Sequence, residues 1–166
     1  MRIVKLAIIS FVFFFFLITI ISLFLPSTIR ITKTEDINAS KETVMQQVSD
    51  PSKWKNWYPG LDSSKLFYAN GVITGVVQNE AKRRVIEITG KKEDEIMIEY
   101  NESGIAKITG GWKLSSVDSS TTIQWYMVSR LRWYPWEKFA GILFERSFSN
   151  QMKTGLIRLK NLWEAK

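Results

Sequence analysis

Residues 6–25 read "LAIISFVFFFFLITIISLFL", twenty positions without a charge. As a helix rising about 1.5 Å per residue, this run covers ~30 Å, the thickness of a bilayer's hydrocarbon core. Sixteen of the twenty are Leu, Ile, Val or Phe. At roughly −0.3 kcal/mol each or better, they favour insertion by at least about 5 kcal/mol. A helix from a water-soluble core would carry a polar face, and none is visible here. The competing reading is a cleaved secretory leader, whose apolar core spans roughly 7–15 residues and ends at a small-x-small site. This run is longer, "LFLPSTIR" offers no A-x-A pattern, and no cysteine follows for lipoprotein processing. The expectation is an uncleaved transmembrane anchor over residues 1–26, with a domain over 27–166 held close to the bilayer after Pro26. Arg2, Lys5 and the terminal amine precede the run, against Arg30 and Lys33 soon after it. Three against two favours a single-pass protein with its domain on the non-cytoplasmic side.

Two zeros in the composition close much of enzymology. Without cysteine there are no disulfides, zinc–thiolate sites or thiol nucleophiles; without histidine the commonest general base and transition-metal ligand are missing. Neither a metal nor a cofactor is expected, and the balance is against an enzyme. A catalytic proposal would fall on carboxylates, Tyr, Lys or Arg. Glu145, at the edge of an apolar helical stripe, and Glu99, alternating with the apolar face of a strand, would suit acid–base work if buried beside a ligand. A solvent-facing position is the expected reading for both, neither has an identifiable partner, and no catalytic residue is assigned. The net charge of +7 and pI near 9.6 fit an anionic partner. The basic groups are Lys82 to Arg84, Lys91-Lys92, and Arg130 with Arg132. Most such groups are solvated surface. Arg130 and Arg132 are the candidates for contact with anionic headgroups, at roughly 1 kcal/mol per residue near a membrane. Nucleic acid is not an expected partner, since an anchored domain has limited access and no recognition motif is present.

After the anchor the pattern becomes mixed. "IRITKTEDI" reads as a strand. Ser40 caps a short helix with Glu42 in its first turn and Val44 and Val48 as its apolar stripe. Asp50-Pro51 starts a second helix, ended by Pro59-Gly60, on which Trp54, Trp57 and Tyr58 fall at i, i+3 and i+4 and share a face. Asn70-Gly71 is a strong hairpin signal within "KLFYANGVITGVV". Four further strands follow, separated by "GKKED", "NESG" and "SSVDSS". In the last of them Ile123, Trp125, Met127, Ser129, Leu131 and Trp133 face one way. Ile96, Ile98 and Tyr100 share a face in another, as do Ile108, Trp112 and Leu114 beside Gly110-Gly111, where a bulge or sharp bend is expected. Short loops mean an antiparallel meander. A helix from Pro135 to about Ala165 closes the chain, with Phe144, Phe148, Met152, Leu156, Leu159 and Trp163 as its stripe and Gly155 allowing close approach.

This order, with "EDINASKETVMQQVSDPSKWKNWYPG" near the front and "QMKTGLIRLKNLWE" at the end, resembles the START / Bet v 1-like (SRPBCC) superfamily. The likeness is to its polyketide cyclase/dehydrase-like branch in the membrane-anchored bacterial form. The residues matching the branch pattern are Ile37, Ala39, Glu42, Val44, Asp50, Trp54 and Trp57. The resemblance implies an α+β helix-grip fold: a curved seven-stranded antiparallel sheet around a long C-terminal helix, after one transmembrane helix, with a largely apolar cavity between sheet and helix. It implies a hydrophobic small molecule or lipid as ligand. It transfers no catalytic residue. Trp54, Trp57, Tyr58, Trp112, Trp125, Met127, Phe144, Phe148 and Met152 are the candidates for the cavity wall, each equally explicable as core packing. The alternatives are a cyclase-, dehydrase- or hydrolase-type enzyme on an apolar substrate and a non-catalytic scaffold at the membrane. No feature of the sequence specifies an oligomeric state.

Overall fold

The computed structural model describes residues 2–81, 83–102, 107–117, 120–132 and 134–164; Lys82, Trp133 and Ala165 lie outside them. The apolar run forms α1, Arg2–Leu23, which is long and apolar enough to cross a membrane. Its side chains meet almost no protein, and Ser22 is its buried residue. The two hydroxyls of its last turns bond back into the helix, Thr19 to the Phe15 carbonyl and Ser22 to the Thr19 carbonyl, both at 2.7 Å.

Strand β1, Thr28–Ile37, follows within five residues. Ser40 then caps α2, Lys41–Val48, and turns Val44 and Val48 fully inward. Asp50 caps the next turn, its Oδ1 accepting from the Ser52 amide at 3.0 Å and the Ser52 hydroxyl at 2.6 Å. That element is a 3-10 helix, Pro51–Asn56, so it stops before the expected aromatic face is complete. Trp57 caps it in a non-helical conformation (φ −135°), and the Trp57 and Tyr58 amides both bond the Trp54 carbonyl. The chain curls rather than spirals, and all three aromatics still point into the core.

Strands β2, Lys65–Ala69, and β3, Val72–Asn79, are joined by Asn70-Gly71 at φ of 51° and 78°, the left-handed pair a tight hairpin turn requires. Strands β4 (Arg84–Lys91), β5 (Glu95–Asn101), β6 (Ile108–Val117) and β7 (Ser120–Arg130) continue the meander. The sheet order is β1-β7-β6-β5-β4-β3-β2, antiparallel throughout, with Thr28 opposite Arg130 and Ile37 opposite Thr121. The predicted alternation holds on the inner face, where Ile96, Ile98, Tyr100, Ile108, Trp112, Leu114, Ile123, Trp125 and Met127 are all buried.

Gly110-Gly111 makes no bulge, because β6 keeps unbroken register with both neighbours there. The pair answers a different need. A Cβ on Gly110 would meet the Tyr126 carbonyl oxygen at 2.6 Å, and one on Gly111 would strike the Ile96 carbonyl oxygen. Two small residues let the backbones of β5 and β7 lie close on either side of β6. The register shifts fall instead at Phe67/Tyr68, Val77/Asn79 and Ile88/Gly90, on the other side of the sheet.

Helix α3, Pro135–Glu164, crosses the inner face. Met152, Gly155, Leu156 and Leu159 are buried in its second half, and a Cβ on Gly155 would lie 2.7 Å from Trp125 and 3.0 Å from Pro59. The strand directions place Thr28, Arg84, Glu102, Ile108 and Arg130 at one end of the sheet, the end where α1 joins. This end, the anchor end on the expectation for α1, holds the candidate site.

Candidate functional site

The middle of the grip is solid. Trp54, Trp57, Tyr58, Trp112 and Trp125 are fully buried and pack ring on ring, with centroids 5.3 Å apart for Trp54–Trp112, 5.4 Å for Trp57–Trp112 and 4.8 Å for Tyr58–Trp125. Tilted and edge-to-face pairs of this kind add about 0.5–1.5 kcal/mol each beyond their burial. The Trp54 indole N–H donates to the Val48 carbonyl at 2.8 Å and that of Trp125 lies against the Tyr100 hydroxyl, but those of Trp57 and Trp112 find no acceptor among the described residues. An unpaired buried donor costs roughly 1–3 kcal/mol, so this cluster is held by apolar packing against a polar penalty. The 3-10 helix, β6 and β7 each supply part of it, and Met127 and Met152 fill beside it, both buried.

Toward the anchor end the packing opens. A hollow of about 180 Å³ lies between the sheet and the first half of α3. Phe144 and Phe148 form its helical wall, rings 4.2 Å apart, while Tyr100 and Ile108 form its floor on β5 and β6. Its rim is polar: Gln78, Gln151 and an ion pair in which Arg84 Nε and Nη2 both reach Glu102 Oε2 at 2.6 Å. At the floor the Tyr100 hydroxyl is hydrogen-bonded to that of Tyr58, linking hollow and packed centre. Burial pushes both phenols up, with Tyr58 further raised by its neighbour Tyr100. Both therefore stay protonated at neutral pH and offer hydrogen bonds rather than a base.

Of the nine cavity candidates, Phe144 and Phe148 line this hollow, and Tyr58 touches its floor through Tyr100. Trp54, Trp57, Trp112, Trp125, Met127 and Met152 lie in the packed centre behind it. The hollow also draws on Gln78, Arg84, Tyr100, Glu102, Ile108 and Gln151. The alternation of Ile96, Ile98 and Tyr100 already turned Tyr100 inward; nothing local announced the pairing of Arg84 with Glu102, eighteen residues apart. The two acids considered for chemistry lie elsewhere. Glu99 sits on the sheet's outer face, paired with Lys107 at 2.6 Å, and Glu145 is exposed on α3.

The hollow's neighbour is the foot of α1. Lys138, on the first turns of α3, is 5% exposed, and its ammonium donates to the Leu25 carbonyl at 3.0 Å and the Ser27 hydroxyl at 2.6 Å. A cation at the carboxyl end of a helix satisfies carbonyls left without intrahelical donors and complements the helix dipole. Arg130 and Arg132 are exposed on the same end, where with Lys107 they line a shallow groove on the outer face of the sheet.

Residues 28–164 match the model of the family described as polyketide cyclase / dehydrase and lipid transport. No curated protein matches the chain. Among solved structures, the protein XoxI from Bacillus cereus superposes with a TM-score of 0.61 at 16% identity, covering 81% of this chain and 94% of its own. The di-domain ARO/CYC BexL from the BE-7585A biosynthetic pathway gives 0.60 at 15% identity, covering 81% of this chain and 50% of its own. The Aha1 dimer from Colwellia psychrerythraea gives 0.54 at 14%, covering 80% of this chain and 94% of its own. At such identities the likeness is one of fold.

Proposed function

Because the chain belongs to the polyketide cyclase / dehydrase and lipid transport family over residues 28–164, we propose that it is a membrane-anchored domain that takes a hydrophobic, lipid-like molecule into the hollow beneath α3. On this reading α1 crosses the bilayer once and residues 27–166 form the binding domain, on the non-cytoplasmic side by the balance of flanking charge. The observation that carries it is a juxtaposition: a void walled by Phe144 and Phe148 opens at the end of the fold where α1 leaves. Its 180 Å³ is less than the roughly 300 Å³ of pockets that enclose a whole small ligand. It therefore receives the apolar end of a molecule whose polar end stays at the rim, where Gln78, Gln151 and the Arg84–Glu102 pair offer hydrogen bonds.

A catalytic use of the same hollow rests on Tyr100 and Glu102, which line it beside Arg84. Burial keeps Tyr100 protonated, and Glu102 is held in an ion pair with Arg84. Both favour holding a polar group over moving a proton, so binding is the preferred reading.

Native mass spectrometry of the full chain, extracted in detergent and offered a long-chain fatty acid, tests this directly. The wild type is expected to carry a bound mass adduct, and Phe148→Trp, which fills the void, is expected to lose it. Consistent recovery of empty wild-type protein, or equal uptake by Phe148→Trp, refutes the assignment.

A further inference from the structure

The first three turns of α3 carry an apolar surface that the fold does not use. Trp136, Phe139, Ile142 and Leu143 are 63%, 41%, 58% and 73% exposed, while Pro135, Lys138 and Gly141 on the opposite side are buried. With 3.6 residues per turn, Trp136, Phe139 and Leu143 stand on one face. Tyr134 stacks on Trp136 with centroids 4.9 Å apart and planes 5° from parallel. Farther along the same helix the exposed positions include Lys153, Thr154, Ile157, Arg158, Asn161 and Leu162, apolar side chains interleaved with polar ones. The start of the helix therefore presents the denser apolar surface.

What that surface meets follows from its neighbours. Lys138 grips Leu25 and Ser27, so the stripe begins at the level where α1 ends, and α1 touches α3 there. Arg130 stands opposite Thr28, at the same level, and Arg132 follows it, both exposed. Stacked aromatics and large aliphatics flanked by arginines are the composition of a helix lying in the interfacial layer of a membrane.

We propose that residues 134–143 lie in the headgroup–acyl boundary of the bilayer that α1 crosses, with Trp136, Phe139 and Leu143 inserted and Arg130 and Arg132 at the lipid phosphates. This rests on the reading of α1 as a span. Phe144, the next residue, faces the hollow. A docked stripe thus sets the hollow's mouth at headgroup level, where a lipid tail enters without crossing water.

The chain has no cysteine, so single labels are clean. Phe14→Cys, Leu143→Cys and Asn161→Cys, each in the full chain, are labelled with an environment-sensitive fluorophore in phosphatidylcholine–phosphatidylglycerol vesicles containing nitroxide lipids. The expected result is several-fold stronger quenching at positions 14 and 143 than at 161, with a shallow nitroxide most effective at 143. Charge reversal of Arg130 and Arg132 to Glu weakens the signal at 143 alone. Quenching at 14 with position 143 no better than 161 overturns the docking while the anchor stands. An unquenched 14 overturns anchor and docking together. A disulfide between copies at Leu143→Cys, in place of lipid quenching, assigns the stripe to a second copy and also overturns it.

Discussion

The middle of the grip and its anchor end use the same materials to opposite effect. In the middle, four tryptophans and a tyrosine are packed until the Trp57 and Trp112 donors go unpaired among the described residues. At the anchor end two phenylalanines of α3, Phe148 meeting Tyr100 of the sheet edge-on, leave a void with a polar rim. Rigidity in the first place is what permits looseness in the second. The aromatic block fixes the spacing of sheet and helix as far as Gln151, whose side chain donates to the Pro59 carbonyl at 3.0 Å, and α3 bridges the void from there to its next ties at Gly141 and Lys138.

Truncation should separate the two regions most strongly. Trp125→Ala empties a filled site and is expected to cost about 3–5 kcal/mol. Phe148→Ala, half-buried beside an existing void, should cost about 1–2 kcal/mol. Urea unfolding of the solubilised chain followed by circular dichroism measures both, and equal losses would erase the distinction. Alanine at two helical glycines sharpens it. A Cβ on Gly155 drives into the Trp125 ring, so Gly155→Ala should destabilise by about 1–3 kcal/mol through overpacking. On Gly141 the Cβ meets only the methyl tips of Ile29 and Leu131, at 2.5 and 2.6 Å. There the helix preference of alanine, roughly 1 kcal/mol, should leave Gly141→Ala neutral or slightly stabilising by the same assay.

The smallest effect concerns the sheet's outer face, away from both regions. The Tyr126 hydroxyl donates to Glu95 at 2.8 Å and holds that carboxyl below its ordinary value of 4.5, aided by Lys92 and Lys113 against burial. Burial and the same bond push Tyr126 up to about 12. A carboxyl depressed in the folded state stabilises fully above its unfolded value, and that contribution is lost as pH falls through the folded one. Unfolding midpoints taken downward through the carboxylate range should drop less steeply in Tyr126→Phe than in wild type.

Local chemistry made most of the fold legible. Ser40, Asp50-Pro51 and Asn70-Gly71 each satisfy a backbone need within two or three residues, and the alternation from Ile123 to Ser129 states which face is inward. The two misreadings have different causes, one a pair of partners distant in the chain and the other a local change of helical period. Gly110-Gly111 looked like a bulge because its reason for being small lies in the carbonyls of Ile96 and Tyr126. The Pro51 turn was read with an α-helical period, although its tight curl ends at Trp57. The site was least visible, since Arg84 meets Glu102, Tyr100 meets Tyr58, and Lys138 turns inward to the foot of another helix. Nor does the stripe of six apolar residues on α3 reveal that Phe144 and Phe148 bound a gap while Met152, Leu156 and Leu159 fill one.

The lysine clasp has a mechanical consequence. A domain joined to a helix by a slack linker swivels about it. Here the Leu25 carbonyl and the Ser27 hydroxyl, just past the end of α1, are stapled to the third helix, so the joint behaves as a bracket. Any lean of the first helix is handed on as a lean of the grip.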